Sequence, residues 1–239
     1  MIEFPKSIEA TMISPDFRVV FSPSSFSLTD EEKKKVEAYW RLEKKKGEKH
    51  LFNGQLLSLL EFGDEELVGE FVPYKAYIAQ LADAEIAREI NICPICVSGI
   101  VISEGHVLLG RRSKLVTNYP NHYELVPSGS ISTQCCSQNS FIDYRKQLLL
   151  ELFEETKIIF SQADEVFPFA LMKEASHSLI DICMLVRLSE RIAYQVTEEY
   201  PDLIWLPSDE VKKFVEKRHS QFIPTSLAML SIAKGFKWI

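Results

Sequence analysis

The stretch QLLLELFEETKI, residues 147–158, decides how the rest of the chain is read. As a helix it turns about 100° per residue, so positions three and four apart share a face. Glu151, Glu154 and Glu155 then stand together on one side. Leu149 and Phe153 fall opposite, with Leu152 at their flank, and form the stripe expected to face a core. Carboxylates crowded in this way repel, and like charges four apart cost a helix about 0.2–0.5 kcal/mol. A cation held between them removes that repulsion. Hard carboxylate oxygens suit Mg²⁺ or Mn²⁺, and Mg²⁺ keeps waters and a substrate phosphate in its remaining positions. A bare ExxEE is also compatible with a solvated acidic face, so the flanking sequence has to choose between the two.

On both sides of this helix the texture is that of strands. Residues 96–103 and 106–113 flank Glu104-Gly105, a two-residue hairpin connection in which Gly takes positive φ. Residues 123–126 form a third short strand, and Pro127-Ser128-Gly129 turns the chain out of it. After the helix, strands are expected at 168–173, 179–188 and 203–206, with a short helix at 189–195. Pro207 followed by Asp209 and Glu210 opens a helix through Val215. Residues 222–237 form a last, mostly apolar helix that either packs within the chain or supplies the face of a homodimer. The order β-β-β-α-β-β-α-β-α-α describes an α+β fold with α/β/α layering. It lacks the βαβαβ alternation and glycine fingerprint of a dinucleotide-binding fold.

The first ninety residues read as a separate elaboration. Residues 7–14 and 17–21 have the β-branched and aromatic content of short strands, turned at Pro15-Asp16. Thr29 followed by Asp30, Glu31 and Glu32 starts a helix with a polar cap and an acidic first turn. Lys44, Lys45 and Lys46 put positive charge at its end, and Gly47 stops it. Residues 55–62 and 66–72 suggest a hairpin across Gly63-Asp64, and 73–89 one or two helices. The expected division is residues 1–90, an N-terminal α/β extension or small domain, and residues 91–239, the domain that carries the acidic helix.

Composition bounds the rest. A chain of 239 residues with 46% apolar content can bury a sizeable core. A net charge of −7 argues against nucleic-acid or anionic-membrane surfaces as partners. No apolar run approaches the ~18 residues of a membrane span, and residues 1–10 carry no signal-peptide pattern. Five cysteines, an odd number, favour a reducing compartment, so the expected location is cytoplasmic.

Three segments taken in order resemble the landmarks of the Nudix hydrolase family. They are Val107-Leu108-Leu109-Gly110-Arg111-Arg112, Tyr123-Glu124-Leu125-Val126-Pro127-Ser128-Gly129 and Glu151-Leu152-Phe153-Glu154-Glu155-Thr156-Lys157-Ile158. In that family a strand with LLxxR precedes a strand ending in ElPGG, which leads into a REUxEExGU helix. Trp205-Leu206-Pro207 resembles the family's last strand and its exit. The likeness covers roughly residues 95–215, and its specificity lies in order and spacing together. The departures are Leu150 in place of the box arginine, Lys157 in place of the glycine after the helix, Ile142 where the first box glutamate belongs, and an insertion at 130–139 containing Cys135-Cys136. The N-terminal extension and lengthened box, with Trp40, Leu51-Phe52-Asn53 and Tyr74-Lys75, most resemble the nucleotide-sugar (UDP-glucose) pyrophosphatase branch.

The resemblance implies a Mg²⁺- or Mn²⁺-dependent hydrolase that cleaves the pyrophosphate of a nucleoside diphosphate linked to another moiety, such as a UDP-sugar. Glu151, Glu154 and Glu155 are then the catalytic and metal-binding residues, and a small nucleotide is the substrate. Gly129, with no Cβ, lets backbone approach the metal or phosphate closely. Arg111 and Arg112 alternate faces of their strand, so at most one of these substrate-binding candidates reaches a phosphate. The alternative is a catalytically silent module of the same fold that binds a nucleotide or a protein. Lesser candidates are a zinc site at Cys93 and Cys96, His122 as an acid/base, and Glu174, His177 and Asp181 around a strand start, each more simply a structural or loop residue.

Overall fold

Thr29 begins the first long helix by reciprocal capping. Its side chain accepts the Glu32 N–H, and the Glu32 carboxylate accepts the Thr29 N–H, so two otherwise orphaned amides are satisfied. The computed structural model describes residues 2–24, 26–46, 52–116, 118–137, 139–161, 164–174 and 178–239. Gly47, Leu51 and His177, each given a part in the sequence reading, lie outside them.

In chain order the elements are β1 (Ile8–Met12), β2 (Arg18–Phe21), α1 (Asp30–Lys45), β3 (Gln55–Phe62), β4 (Glu66–Pro73), α2 (Tyr74–Ala82), α3 (Ala84–Ile90), β5 (Ile95–Ser103), β6 (His106–Arg111), β7 (Tyr123–Leu125), β8 (Ser128–Ser130), α4 (Tyr144–Thr156), β9 (Glu165–Glu174), β10 (Leu179–Arg187), β11 (Asp202–Pro207), α5 (Ser208–Arg218) and α6 (Pro224–Gly235). Short 3₁₀ turns occupy Thr133–Cys135 and His219–Gln221. The chain is of the mixed α+β class that the element order predicts.

Contacts divide it into two units. One comprises Met1–Pro15, Cys96–Gly129 and Arg145–Ile239, the other Asp16–Ile95 and Ser130–Tyr144. This differs from a linear cut at residue 90 for a hydrogen-bonding reason. β1 pairs antiparallel with β9, from Ile8 opposite Glu174 to Met12 opposite Ala170, which ties the first residues to the larger unit. The segment Ser130–Tyr144 does the reverse, since Ile142 N–H donates to Val19 O (2.9 Å) and Tyr144 Oη to Phe17 O (2.7 Å), both within the smaller unit.

The larger unit is built on a sheet of order β1-β9-β10-β5-β6-β11, with β7 added to β6 and β8 to β5. The β5–β6 connection is the expected two-residue hairpin, Glu104 at φ 45° and Gly105 at φ 71°. α6 buries Leu227, Ala228, Met229, Leu230 and Ala233 against Ile8, Ala170, Met172, Cys183 and Leu185, so its apolar face is spent within this unit. Pro127-Ser128-Gly129 does not simply turn outward: Ser128–Ser130 is itself a short strand on β5. No helix forms at 189–195. Trp205 Nε1 donates to Ile192 O (3.1 Å), and Gln195 N–H donates to Thr156 O (2.8 Å), so tertiary bonds take the backbone groups that a helix would use.

In the smaller unit, β2 and β4 run parallel and β4 and β3 antiparallel. Val36, Ala76, Tyr77, Ala79, Ile86 and Ile92 form its core with Leu56 and Val72. Gln80 clips α2 to the following chain through both amide atoms, donating to Ile92 O (2.7 Å) and accepting Ile92 N–H (2.6 Å). Among the described residues no helix is long and apolar enough to cross a membrane.

Candidate active site

α4 is turned differently from the orientation expected of it. Leu148 and Leu152 are fully buried, whereas Phe153 is 46% exposed, so the stripe assigned to Leu149 and Phe153 is not the core face. Glu151 and Glu155 lie three and seven residues from Leu148 and share the face of the buried leucines. The two carboxylates are therefore drawn into the protein: Glu155 is only 3% exposed and Glu151 half-buried, while Glu154 remains exposed.

Gly129 and Glu151 meet directly. A Cβ on Gly129 would stand 2.2 Å from both Cδ and Oε1 of Glu151, so the absent side chain is the space that the carboxylate fills. Gln147, one turn earlier and buried, donates from Nε2 to the same Oε1 at 2.8 Å. Glu155 Oε2 accepts the Ser128 N–H at 3.2 Å. Its Oε1, buried as well, has no hydrogen-bond partner among the described residues. A buried carboxylate oxygen without a partner is expensive, and such an atom requires explanation.

Two further glutamates surround this pair. Glu124, on β7, is buried and accepts Ser128 Oγ (2.8 Å), Tyr200 Oη (2.7 Å) and the Arg112 guanidinium. Tyr200 is fully buried and its ring lies on Gly110, where a Cβ would come within 2.4 Å of it. Glu199, next to Tyr200, lies 3.8 Å from Arg112 and is fixed through its carbonyl, which accepts the Ser113 N–H at 2.7 Å.

The two arginines part as strand alternation requires. Arg112 points inward into this network and also donates to Asn118 O at 3.2 Å. Arg111 points away, donating to Asn121 O at 3.3 Å and lying 5.9 Å from the centre of the Tyr123 ring. Of the sequence candidates, the structure brings together Glu151, Glu155, Gly129 and Arg112. Glu154 stands at the rim, where its charge is felt by Glu151 and Glu199, and Arg111 is not part of the cluster.

Burial and mutual repulsion set the electrostatics. Burial pushes the Glu151 carboxyl up to about 7; the Gln147 hydrogen bond opposes the rise, and Glu154 and Glu199 add to it. Glu155 is raised well above the carboxylate range by burial, then by Glu199, Glu124 and Glu151. Glu199 is raised by burial, against the pull of Arg112. Burial works against the Arg112 charge too, but Glu124 and Tyr200 outweigh it and hold the guanidinium firmly protonated. Burial and mutual repulsion thus favour the protonated forms of Glu151, Glu155 and Glu199, with Arg112 held charged beside them.

Among the described residues no three His, Cys, Asp or Glu side chains are already gathered closely enough to enclose a metal ion. The donor set nevertheless has the chemistry of a hard-cation site: oxygen ligands, an orphaned buried oxygen on Glu155, and a glycine that leaves room for Glu151. The helix ends with Lys157 at φ 62°, the left-handed conformation that glycine adopts without cost, with its N–H donating to Phe153 O at 2.9 Å.

The remaining candidates have local partners. Asp181 is buried under Ser98 Oγ (2.9 Å) and Thr225 Oγ1 (3.3 Å), and burial raises its carboxyl to about 7. Glu174 accepts the Tyr119 hydroxyl, and His122 Nδ1 donates to Pro120 O at 2.9 Å. The zinc spacing of Cys93 and Cys96 gains no further ligand, since no metal-holding group of three forms among the described residues. Sequence reading missed Gln147, Glu124, Glu199 and Tyr200 as members of the cluster. Gln147 has a legible signal, lying four residues before Glu151 on the same helix face. Glu199 has none, because only the fold brings 199 beside 112.

No family model matches the chain, and no curated protein matches it in sequence. Solved structures do. The bifunctional NMN adenylyltransferase/ADP-ribose pyrophosphatase of Francisella tularensis, crystallised with AMP and a manganese ion, is 14% identical over 86% of this chain and 47% of its own, with a TM-score of 0.45. This chain therefore spans about half the length of that enzyme. The Nudix domain of Shewanella oneidensis NrtR, in complex with ADP-ribose, is 16% identical over 62% of this chain and 90% of its own, with a TM-score of 0.45. A Nudix-family hydrolase of Clostridium perfringens is 14% identical over 58% of this chain and 94% of its own, with a TM-score of 0.41.

Proposed function

We propose that the larger unit is a divalent-cation-dependent pyrophosphatase of the Nudix type, cleaving a nucleoside diphosphate linked to another moiety. The observation that carries this reading is the buried, partnerless Oε1 of Glu155 beside a Glu151 carboxylate seated on Gly129. Glu151, Glu154 and Glu155 are the residues that would hold Mg²⁺ or Mn²⁺, with Glu199 supplying further negative charge. A bound divalent cation supplies Lewis acidity and lowers the pKa of an attacking water. The chain's own residues do the positioning. Ser128 N–H holds one oxygen of Glu155, while the other has no hydrogen-bond partner among the described residues. Arg112 and Tyr200 hold Glu124 in place, and Ser128 is fixed between two glutamates, its Oγ donating to Glu124 and its N–H to Glu155.

A UDP-sugar is the substrate we assign first, in the cytoplasm. The test is release of nucleoside monophosphate from UDP-, GDP- and ADP-linked compounds, with and without Mg²⁺, by wild-type protein and Glu154→Gln. Mg²⁺-dependent release lost in the variant supports the enzyme and names the base. No release across the panel by folded protein selects the silent nucleotide- or protein-binding module instead.

A further inference from the structure

We infer that Gln147 is the positioning residue of the cation site: its amide fixes the rotamer of Glu151 that a bound cation requires. The inference rests on the cation reading above and deepens it. Glu151 is half-buried, and a half-buried glutamate ordinarily samples several rotamers. Two observations restrict it. Gln147 Nε2 donates to Oε1 at 2.8 Å, and the same Oε1 lies where a Cβ of residue 129 would stand, 2.2 Å away. The amide pulls the carboxylate inward and the glycine gives it the room.

The spacing makes this a built-in contact, since residues four apart on a helix are neighbours. Gln147 is 4% exposed, so its side chain has little alternative space and its donor is aimed rather than free to wander. Leu150, immediately before Glu151, carries no donor, and the group that reaches the carboxylate is the neutral amide. Neutrality has a consequence. A guanidinium or ammonium in this place would orient Glu151 while cancelling part of the charge that attracts a divalent ion. An amide orients without bringing positive charge of its own beside the carboxylate.

The test uses the full chain, Mn²⁺ as the probe, and electron paramagnetic resonance to count free ion. Gln147→Met keeps length and removes the donor; Gln147→Asn keeps the amide but withdraws it by one carbon. Both are expected to weaken Mn²⁺ binding at least tenfold, as loss of a partner to a metal ligand typically does. In the background of Glu151→Gln the Gln147→Met change is expected to add nothing, because Gln147 acts through Glu151. Thermal unfolding in EDTA reports any purely structural loss, and each variant is expected to stay within a few degrees of wild type. Wild-type protein that binds no Mn²⁺ overturns the cation reading itself. Wild-type protein that binds Mn²⁺, with both Gln147 variants binding equally well or with losses that add to that of Glu151→Gln, overturns the positioning role alone.

Discussion

Replacing Gly129 with alanine inserts a methyl group where the Glu151 carboxylate lies. The new Cβ would stand 2.2 Å from Cδ and Oε1 and 2.8 Å from Cγ of Glu151, against the roughly 3.5–4.0 Å of an ordinary carbon contact. The carboxylate must therefore retreat by more than about 1 Å. The obstacle is the tip of a flexible side chain on a half-buried residue, so a χ rotation relieves the clash. That rotation forfeits the hydrogen bond from Gln147, worth about 1 kcal/mol, and returns some hydration to Glu151. Metal-free Gly129→Ala is expected to fall within about 1 kcal/mol of wild type. Gly110→Ala is the contrasting control, because its Cβ would lie 2.4 Å from the Tyr200 ring and 2.6 Å from Val126 Cγ2. That ring is fully buried and anchored through its hydroxyl, so overpacking there is expected to cost about 3 kcal/mol. Mn²⁺ affinity should show the reverse order, falling at least tenfold in Gly129→Ala because the carboxylate proposed as a cation ligand is displaced. Urea denaturation in EDTA and Mn²⁺ titration measure the two quantities. Gly129→Ala with wild-type Mn²⁺ affinity, or as unstable as Gly110→Ala, would refute this account of the glycine.

Other perturbations follow from the same geometry. The Glu151 carboxyl moves from its ordinary 4.5 to about 7 on folding, so the folded state holds a proton that the unfolded chain releases. Its stabilising effect is complete below 4.5 and is lost as pH rises toward 7, by about 3 kcal/mol. Denaturation of metal-free protein at pH 5 and pH 8 should show a decline to which Asp181 and Glu155 also contribute, and Glu151→Gln should make it shallower by about 3 kcal/mol. Arg112→Met strands the buried Glu124 and is expected to cost roughly 3–5 kcal/mol, whereas Arg111→Ala, at an exposed position, should change stability by less than about 0.5 kcal/mol; thermal unfolding separates them. Lys157→Gly removes a side chain from the left-handed region and should stabilise the protein by about 1 kcal/mol, read as a higher Tm.

The elements of this fold were legible where local chemistry alone dictates them. Thr29 with Glu32, Glu104-Gly105 and Pro207 all mark boundaries that the structure keeps, because caps and tight turns are decided within a few residues. The segment 189–195 was misread because its backbone bonds go to Trp205 and Thr156, partners distant in sequence. The helix carrying Glu151 and Glu155 was legible in position but not in rotation. The carboxylates were expected opposite a stripe of Leu149 and Phe153, yet Leu148 is buried and Phe153 is not. A glutamate placed on a core face runs against the ordinary partition of charge, so pattern reading assigns it to solvent. The same inversion makes Glu155 informative: a charged residue spends stability at such a position only where something else requires it.

The pairing of β1 with β9 also bears on how the protein can be shortened. A chain trimmed to residues 91–239 retains Glu124, Gly129, Gln147, Glu151, Glu155 and Glu199, yet it loses the five-residue ladder from Ile8 to Met12. β9 would become the rim of the sheet, with N–H and C=O groups between Ala170 and Glu174 open to any extended strand in solution. Ile8, now buried, would leave an apolar gap beside that rim. Such a fragment is expected to associate edge to edge and sediment as oligomers, and a synthetic peptide spanning β1 should return it to the monomer.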